Sequence, residues 1–159
     1  HGCLTPDLIS RLTASQTFLA VNAQTNSANL GFNLISKYAR SDYVVLDELE
    51  ARLAAHDRES PIEEVILKLG FKSIIVTLGP NGAVGFDGQF HYNSGHADRI
   101  VDTMGAGDAF FVVTAPFAKA GASMPDLLRI GNAAGAVKCG VVGHRSPVTK
   151  EALLNFLGC

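Results

Sequence analysis

Cysteine is scarce and scattered: Cys3, Cys139 and Cys159 are the only three, and no two stand close enough for a CxxC pair. That spacing excludes a disulfide framework and a cysteine-based zinc site, and it points to a reducing, cytoplasmic setting. The five histidines show neither HxxxH nor HExxH spacing. Basic excess is missing too, since 13 Lys and Arg face 15 Asp and Glu for a formal charge of -2. No nucleic-acid surface is advertised, and no like-charge block reads as an interaction tail. No apolar run approaches the roughly 18 residues needed to span a membrane as a helix. There is no repeat, low-complexity tract or linker. The chain begins His1-Gly2-Cys3 without an initiating Met or a signal-peptide layout, and so reads as part of something longer.

What is present is a core. With 159 residues, 47% of them hydrophobic and 18% charged, the chain suits one compact α/β domain, spanning 1–159 and expected to be incomplete. Apolar runs alternate with amphipathic stretches, the pattern of a layered sheet with flanking helices. Strands are expected at Phe18–Val21, Tyr43–Leu46, Ser73–Leu78, Ala83–Phe86, Gln89–Tyr92 and, briefly, Ile100-Val101. Asp87-Gly88 should turn a hairpin. Helices are expected over Asn29–Tyr38 (weakened by Gly31), Glu50–His56, Pro61–Leu69, about Gly107 to Lys119 with Pro116 inside, from Pro125 onward, and Thr149–Leu157. The helix after Pro125 should carry Leu127, Ile130, Ala134 and Val137 on one stripe.

The informative segment is Val101-Asp102-Thr103-Met104-Gly105-Ala106-Gly107-Asp108-Ala109-Phe110. A strand ends, two glycines bracket an alanine, and a long helix begins. Glycine lets backbone approach a ligand without a Cβ in the way. The first amides of a helix lack intrahelical partners and sit at the positive end of its dipole, so the turn is an anion hole suited to phosphate. It is not a Walker A loop, because Gly-Lys-Ser/Thr is missing, and not a Rossmann fingerprint, because Phe110 occupies the third-glycine position. Asp108 beside such a turn would be repelled by a phosphate, so its presence needs a reason. It is either a base for a hydroxyl that attacks a phosphate or an ordinary first-turn acid that favours the dipole.

The run Asp102–Asp108 resembles the second signature of the PfkB, or ribokinase-like, carbohydrate kinases, and the small-residue helix after it fits as well. The resemblance implies a ribokinase-like fold and transfer of the γ-phosphoryl group of ATP to a sugar or sugar-phosphate hydroxyl. It makes Asp108 the catalytic base, with Gly105, Ala106 and Gly107 supplying amides to the developing charge. Asp102 and Thr103 resemble positions that lie, in some members, beside a monovalent-cation (K+) site. Asp47-Glu48-Leu49-Glu50 resembles the family's Asn-x-x-Glu element, which implies that Glu50, and more weakly Asp47, act near Mg2+ through its waters. As plain sequence, both are equally first-turn helix acids.

Thr77-Leu78-Gly79-Pro80-Asn81-Gly82 resembles the family's Thr-x-Gly-x-x-Gly nucleotide loop, giving Thr77, Gly79 and Gly82 as ATP contacts; taken alone it is a hairpin turn. Asn132 resembles a position near the adenine-ribose end, or else hydrogen-bonds neighbouring backbone. Asn22 and Gln24 stand where many relatives carry Asp-x-Asn, and depart from it. His144 with Arg145 reads as a solvated loop, and Cys139 as core.

By this resemblance the chain is the carboxyl-terminal half of a kinase domain, whose amino-terminal half carries most sugar contacts. A second copy, or that missing half, is the expected cover for open strand edges. The stretch Val21–Asn29 looks like kinases acting on heptose phosphates, often fused to a nucleotidyltransferase. Two other readings stand beside the sugar kinase. One is a non-catalytic nucleotide-binding or interaction module, and the other is a related vitamin kinase, which typically carries Gly-Thr-Gly-Asp at this turn.

Overall fold

The computed structural model describes residues 4–25, 30–95, 102–140 and 147–158. Five strands form one sheet in the order β1 (Ala20–Asn22), β2 (Tyr43–Asp47), β3 (Ile74–Thr77), β4 (Ala83–Phe86), β5 (Phe90–Asn93). β1, β2 and β3 are parallel, whereas β4 and β5 run antiparallel as a hairpin. Parallel strands covered on both faces read as continuous apolar runs, and Tyr43–Leu46 and Ile74–Val76 are all fully buried.

Helices cover both faces. On one side Val44, Leu46, Ile74, Val76 and Val84 pack with Ile9 of α1 (Pro6–Ala14), Ala51 of α2 (Glu48–Ala55) and Val65 and Ile66 of α3 (Ile62–Leu69). On the other, Tyr43, Val45, Ile75 and Ala83 pack with Phe110 of α4 (Ala106–Lys119) and with Met124, Leu127 and Leu128 of α5 (Met124–Cys139). A short α6 (Lys150–Leu157), capped by Thr149, closes the chain. The ribokinase-like layered α/β arrangement expected from sequence is the one observed.

Several elements differ from expectation. Of the helix expected over Asn29–Tyr38, the described residues 30–38 do not form an α-helix: Gly31 takes a positive φ of 79°, and one 3-10 turn, Ile35–Lys37, follows. Helix α1 has no counterpart in the expected list, although Thr5 caps it by accepting from the Leu8 amide, with Pro6 in its first turn and Asp7 behind. Pro61 caps α3 rather than entering it. The buried stripe of α5 runs through Met124, Leu127, Leu128, Gly131, Ala134 and Lys138, leaving Ile130 and Val137 only partly covered. The expected strand at Ile100-Val101 and the His144-Arg145 pair lie outside the described residues. Among the described residues, no helix is long and apolar enough to cross a membrane.

Candidate functional site

Loops at the carboxyl ends of parallel strands line the crevice of an open α/β sheet. Here β2 ends at Asp47 and β3 at Thr77, cross-strand partners in register. Both border a cavity of about 580 Å³, together with Gly79, Gly82, Thr103, Ala106, Gly107 and Asn132. Eight positions expected to contact nucleotide or cation thus border one space. Glu50, Asp102, Gly105 and Asp108 do not line it.

At the β2–α2 corner the helix end is closed by its own side chains. The Asp47 carboxylate accepts from the Glu50 amide at 2.7 Å, and Glu50 Oε2 accepts from the Asp47 amide at 3.0 Å, a complete capping box. Glu50 Oε1 also accepts from the Thr25 amide at 2.9 Å, tying the segment after β1 to this corner. Glu50 is only 7% exposed, and burial pushes its carboxyl up to about 7, with the Asp47 and Asp108 charges adding to the rise. Asp108 is therefore within electrostatic reach of Glu50, although 58 residues of sequence separate them.

The loop after β3 is held by close backbone packing. Gly79–Asn81 makes a 3-10 turn, and Gly82 has φ 90° with its Cα against the segment after β5; a Cβ there would overlap Asn93 O and Gly95 N. The Thr77 hydroxyl lies 3.4 Å from the Leu46 carbonyl. Asn132 on α5 donates to Asn93 O at 3.0 Å and Asn93 Oδ1 at 2.7 Å, so its amide nitrogen braces β5 while the residue lines the cavity. Asn132 thus hydrogen-bonds neighbouring backbone, as its structural reading expects, and also borders the cavity.

The α4 mouth is built differently. Gly105 sits at the N-cap with φ 79°, a conformation natural to glycine, and offers no side-chain cap. Thr103 O takes the Ala106 amide at 3.2 Å and Gly105 O takes that of Ala109 at 2.9 Å. Among the described residues, the Gly107 and Asp108 amides have no acceptor, and a Cβ on Gly107 would point into open space. Asp108 is exposed immediately beyond Gly107. Asp102 is tied locally, its carboxylate accepting from the Met104 amide at 2.9 Å and its own amide donating to Cys139 O at 3.1 Å.

Several cavity residues escaped sequence reasoning, Leu49, Phe110 and Cys139 among them. Leu49 stands on the rim, Phe110 forms part of the wall, and Cys139, read as core, lines the space from α5. Burial and the neighbouring Asp102 charge both push the Cys139 thiol up, away from thiolate chemistry. Asn22, by contrast, is structural: its side chain donates to Val45 O at 3.1 Å across the β1–β2 pair.

Among the described residues, no group of three or more His, Cys, Asp or Glu side chains converges on a metal position. This donor set does not cage a metal. It fits Mg2+, which usually keeps several waters and is held by one or two carboxylates plus substrate phosphates.

Known proteins are similar to this chain in sequence and in fold. A family model for pfkB family carbohydrate kinases matches residues 9–151. The bifunctional protein HldE of Hyphomonas neptunium is 27% identical over 159 residues, an alignment taking in 94% of this chain and 32% of that protein. Ribokinase of Arabidopsis thaliana, solved with ribose and ATP, superposes with a TM-score of 0.80 at 21% identity over 97% of this chain and 52% of that one. A putative ribokinase II from E. coli, solved with ATP and Mg2+, superposes at 0.64 with 24% identity, covering 74% of this chain and 39% of that one. The chain thus spans about half the length of the first of these solved structures and about a third of the curated relative. With the family model matching nearly its whole length, the chain belongs to the pfkB family of carbohydrate kinases.

Proposed function

We propose that this chain is the nucleotide-binding and catalytic part of an ATP-dependent kinase acting on a hydroxyl of a sugar or sugar phosphate. The α4 mouth carries the reading: two amides without acceptors and an exposed carboxylate stand beside a cavity large enough for a nucleotide. Phosphate oxygens rest against the Gly105–Gly107 backbone at the positive end of a 14-residue helix, where the Gly107 amide is open among the described residues and the Ala106 amide, expected to serve as well, is already shared with Thr103 O. The adenosine end extends toward Thr77, Gly79, Gly82 and Asn132.

Asp108 accepts the proton of the acceptor hydroxyl as its oxygen bonds to the γ-phosphorus. The bond from that phosphorus to the β–γ bridging oxygen breaks, and ADP leaves. Mg2+, when bound, neutralises charge developing on the phosphate oxygens. Asp47 at the rim and Glu50 behind it would hold that ion through its waters, with Glu50 fixed in place by the Thr25 and Asp47 amides. Asp102 and Thr103, at the entry to the turn, are assigned to the edge of a K+ site.

Similarity to HldE over most of the chain, together with the Val21–Asn29 stretch, favours a heptose phosphate as acceptor. The remainder of the kinase, or a second copy of it, is the proposed cover for the outer edge of β1 and for Val112 and Phe117, which α4 leaves exposed.

The test uses the complete protein with Mg-ATP and a panel of acceptors that includes ribose, fructose and a heptose phosphate, with ADP release as the readout. Acceptor-dependent release is expected, alongside ATP binding by calorimetry. Binding of ATP with no acceptor phosphorylated would favour the non-catalytic module instead. The isolated chain should bind ATP weakly and phosphorylate little.

A further inference from the structure

The reaction proposed above needs Asp108 and the bare amides of α4 to keep a fixed position relative to Asp47 and Glu50, which stand on other elements. A displacement of about 1 Å between reacting groups costs on the order of a hundredfold in rate. Apolar packing alone leaves a helix free to slide or roll by fractions of that distance. Two hydroxyls buried in the layer between sheet and α4 remove the freedom.

Tyr43 opens β2, the strand that ends at Asp47. Its hydroxyl donates to Thr114 Oγ1 at 2.8 Å, and Thr114 in turn donates to the Phe110 carbonyl, also at 2.8 Å. Tyr43 and Thr114 are both 0% exposed, and their neighbours in the layer are Val45, Ile75, Leu127 and Leu128. Phe110 lies two residues past Asp108 in the cavity wall, and its ring sits against Gly131, where a Cβ would overlap it. Burial pushes the Tyr43 phenol well above its usual range, so the hydroxyl remains a donor at any working pH. Burying two hydroxyls in an apolar layer is unfavourable unless both are satisfied, and phenylalanine with valine would fill the same volume at no such risk. What the polar pair adds is one defined depth and rotation for α4, since 2.8 Å hydrogen bonds do not slide.

We propose that Tyr43 and Thr114 are positioning residues for phosphoryl transfer: their buried relay to the Phe110 carbonyl ties α4, just past its first turn, to β2 and so sets Asp108 and Gly107 in register with Asp47 and Glu50. The inference rests on the reading of the α4 mouth given above.

The test measures kcat, KM for ATP and thermal stability in the complete protein, with the best acceptor found; ADP release to water serves if no acceptor turns over. Tyr43→Phe and Thr114→Val should each lower kcat about tenfold with KM for ATP within about twofold, while Thr114→Ser, which keeps the hydroxyl, restores most of the rate. Val65→Ala, in the core on the opposite face of the sheet, should lose comparable stability and keep its kcat. In an Asp108→Asn background, Tyr43→Phe should cost less than it does alone, because the relay acts in part through Asp108. The proposal is overturned if Tyr43→Phe leaves kcat within about twofold, if Thr114→Ser is as slow as Thr114→Val, or if the loss adds fully to that of Asp108→Asn. Should Thr114→Val fail to fold, Tyr43→Phe and Thr114→Ser decide between them. An Asp108→Asn enzyme that keeps its turnover sinks the functional reading itself; an inactive Asp108→Asn beside an unimpaired Tyr43→Phe sinks only the relay.

Discussion

Two helix N-termini face the same crevice, and they are finished in opposite ways. Where β2 runs into α2, Asp47 and Glu50 satisfy each other's backbone amides, and the end is closed. Where α4 begins, a left-handed Gly105 turns the chain, no side chain caps it, and the amides of Gly107 and Asp108 have no acceptor among the described residues. A terminus capped by carboxylates stabilises the protein and disfavours a bare anion. An open one forgoes that stability and is available to an anion. The difference separates a carboxylate that works as structure first, Glu50, from one whose side chain makes no hydrogen bond to the described residues, Asp108.

The contrast can be broken from either side. At the open end, Gly107→Ala places a methyl group where space is empty, in a helical position that alanine prefers by about 0.5–1 kcal/mol. Turnover should fall at least roughly tenfold while the melting temperature holds or rises, because the methyl occupies the phosphate's place. A variant that is both more stable and fully active would mean the mouth is not used. Denaturant unfolding and ADP release read the two effects separately.

Gly131→Ala sharpens the comparison by disturbing what supports the open end. Its Cβ would collide with the Phe110 ring, so a loss of about 1–3 kcal/mol in denaturant unfolding is expected. Phe110→Leu in that background should recover part of it. Recovery should be absent if the two side chains do not share the space.

At the closed end, the effects are smaller and depend on pH. Burial raises the Glu50 carboxyl from 4.5 to about 7, so the folded state holds a proton that the unfolded chain releases. Its contribution to stability is complete below about pH 4.5 and is lost as pH rises through about 7, amounting to no more than about 3 kcal/mol. Thermal melts without added magnesium should therefore show Glu50→Gln gaining on the unaltered protein as pH climbs across that window. A gap that stays constant with pH would mean that Glu50 is charged and solvated. Smallest of all, Asp47→Ala removes one half of the capping box and should cost about 1 kcal/mol, again by denaturant unfolding.

Much of this was legible in the sequence, in proportion to how local the signal is. The strands of buried Val and Ile, the Asp87-Gly88 hairpin and the Gly105–Asp108 turn announce themselves within a few residues, and each stands where the pattern places it. Asn29–Tyr38 misled because a helical spacing of apolar residues cannot override Gly31 in a left-handed conformation. Helix α1 was passed over although Thr5-Pro6-Asp7 is an ordinary start signal. Within the site, residue types pointed correctly to one cavity for Asp47, Thr77, Gly82 and Asn132, yet gave no hint that Glu50 is buried against Thr25. Tyr43 reads as one more strand residue, because its partner Thr114 lies 71 positions away and only the packing of α4 on β2 joins them. Long-range pairings of that kind leave no periodic trace.

The claim on which the account turns is that Asp108 takes a proton at an open helix mouth without itself binding ATP. Asp108→Asn in the complete protein, with turnover and calorimetric Mg-ATP affinity measured on the same sample, addresses it directly. Turnover should drop at least roughly a hundredfold while affinity stays within a few-fold or improves, since a charge facing the phosphates has gone. Near-normal turnover, or an affinity that collapses along with the rate, would contradict the assignment.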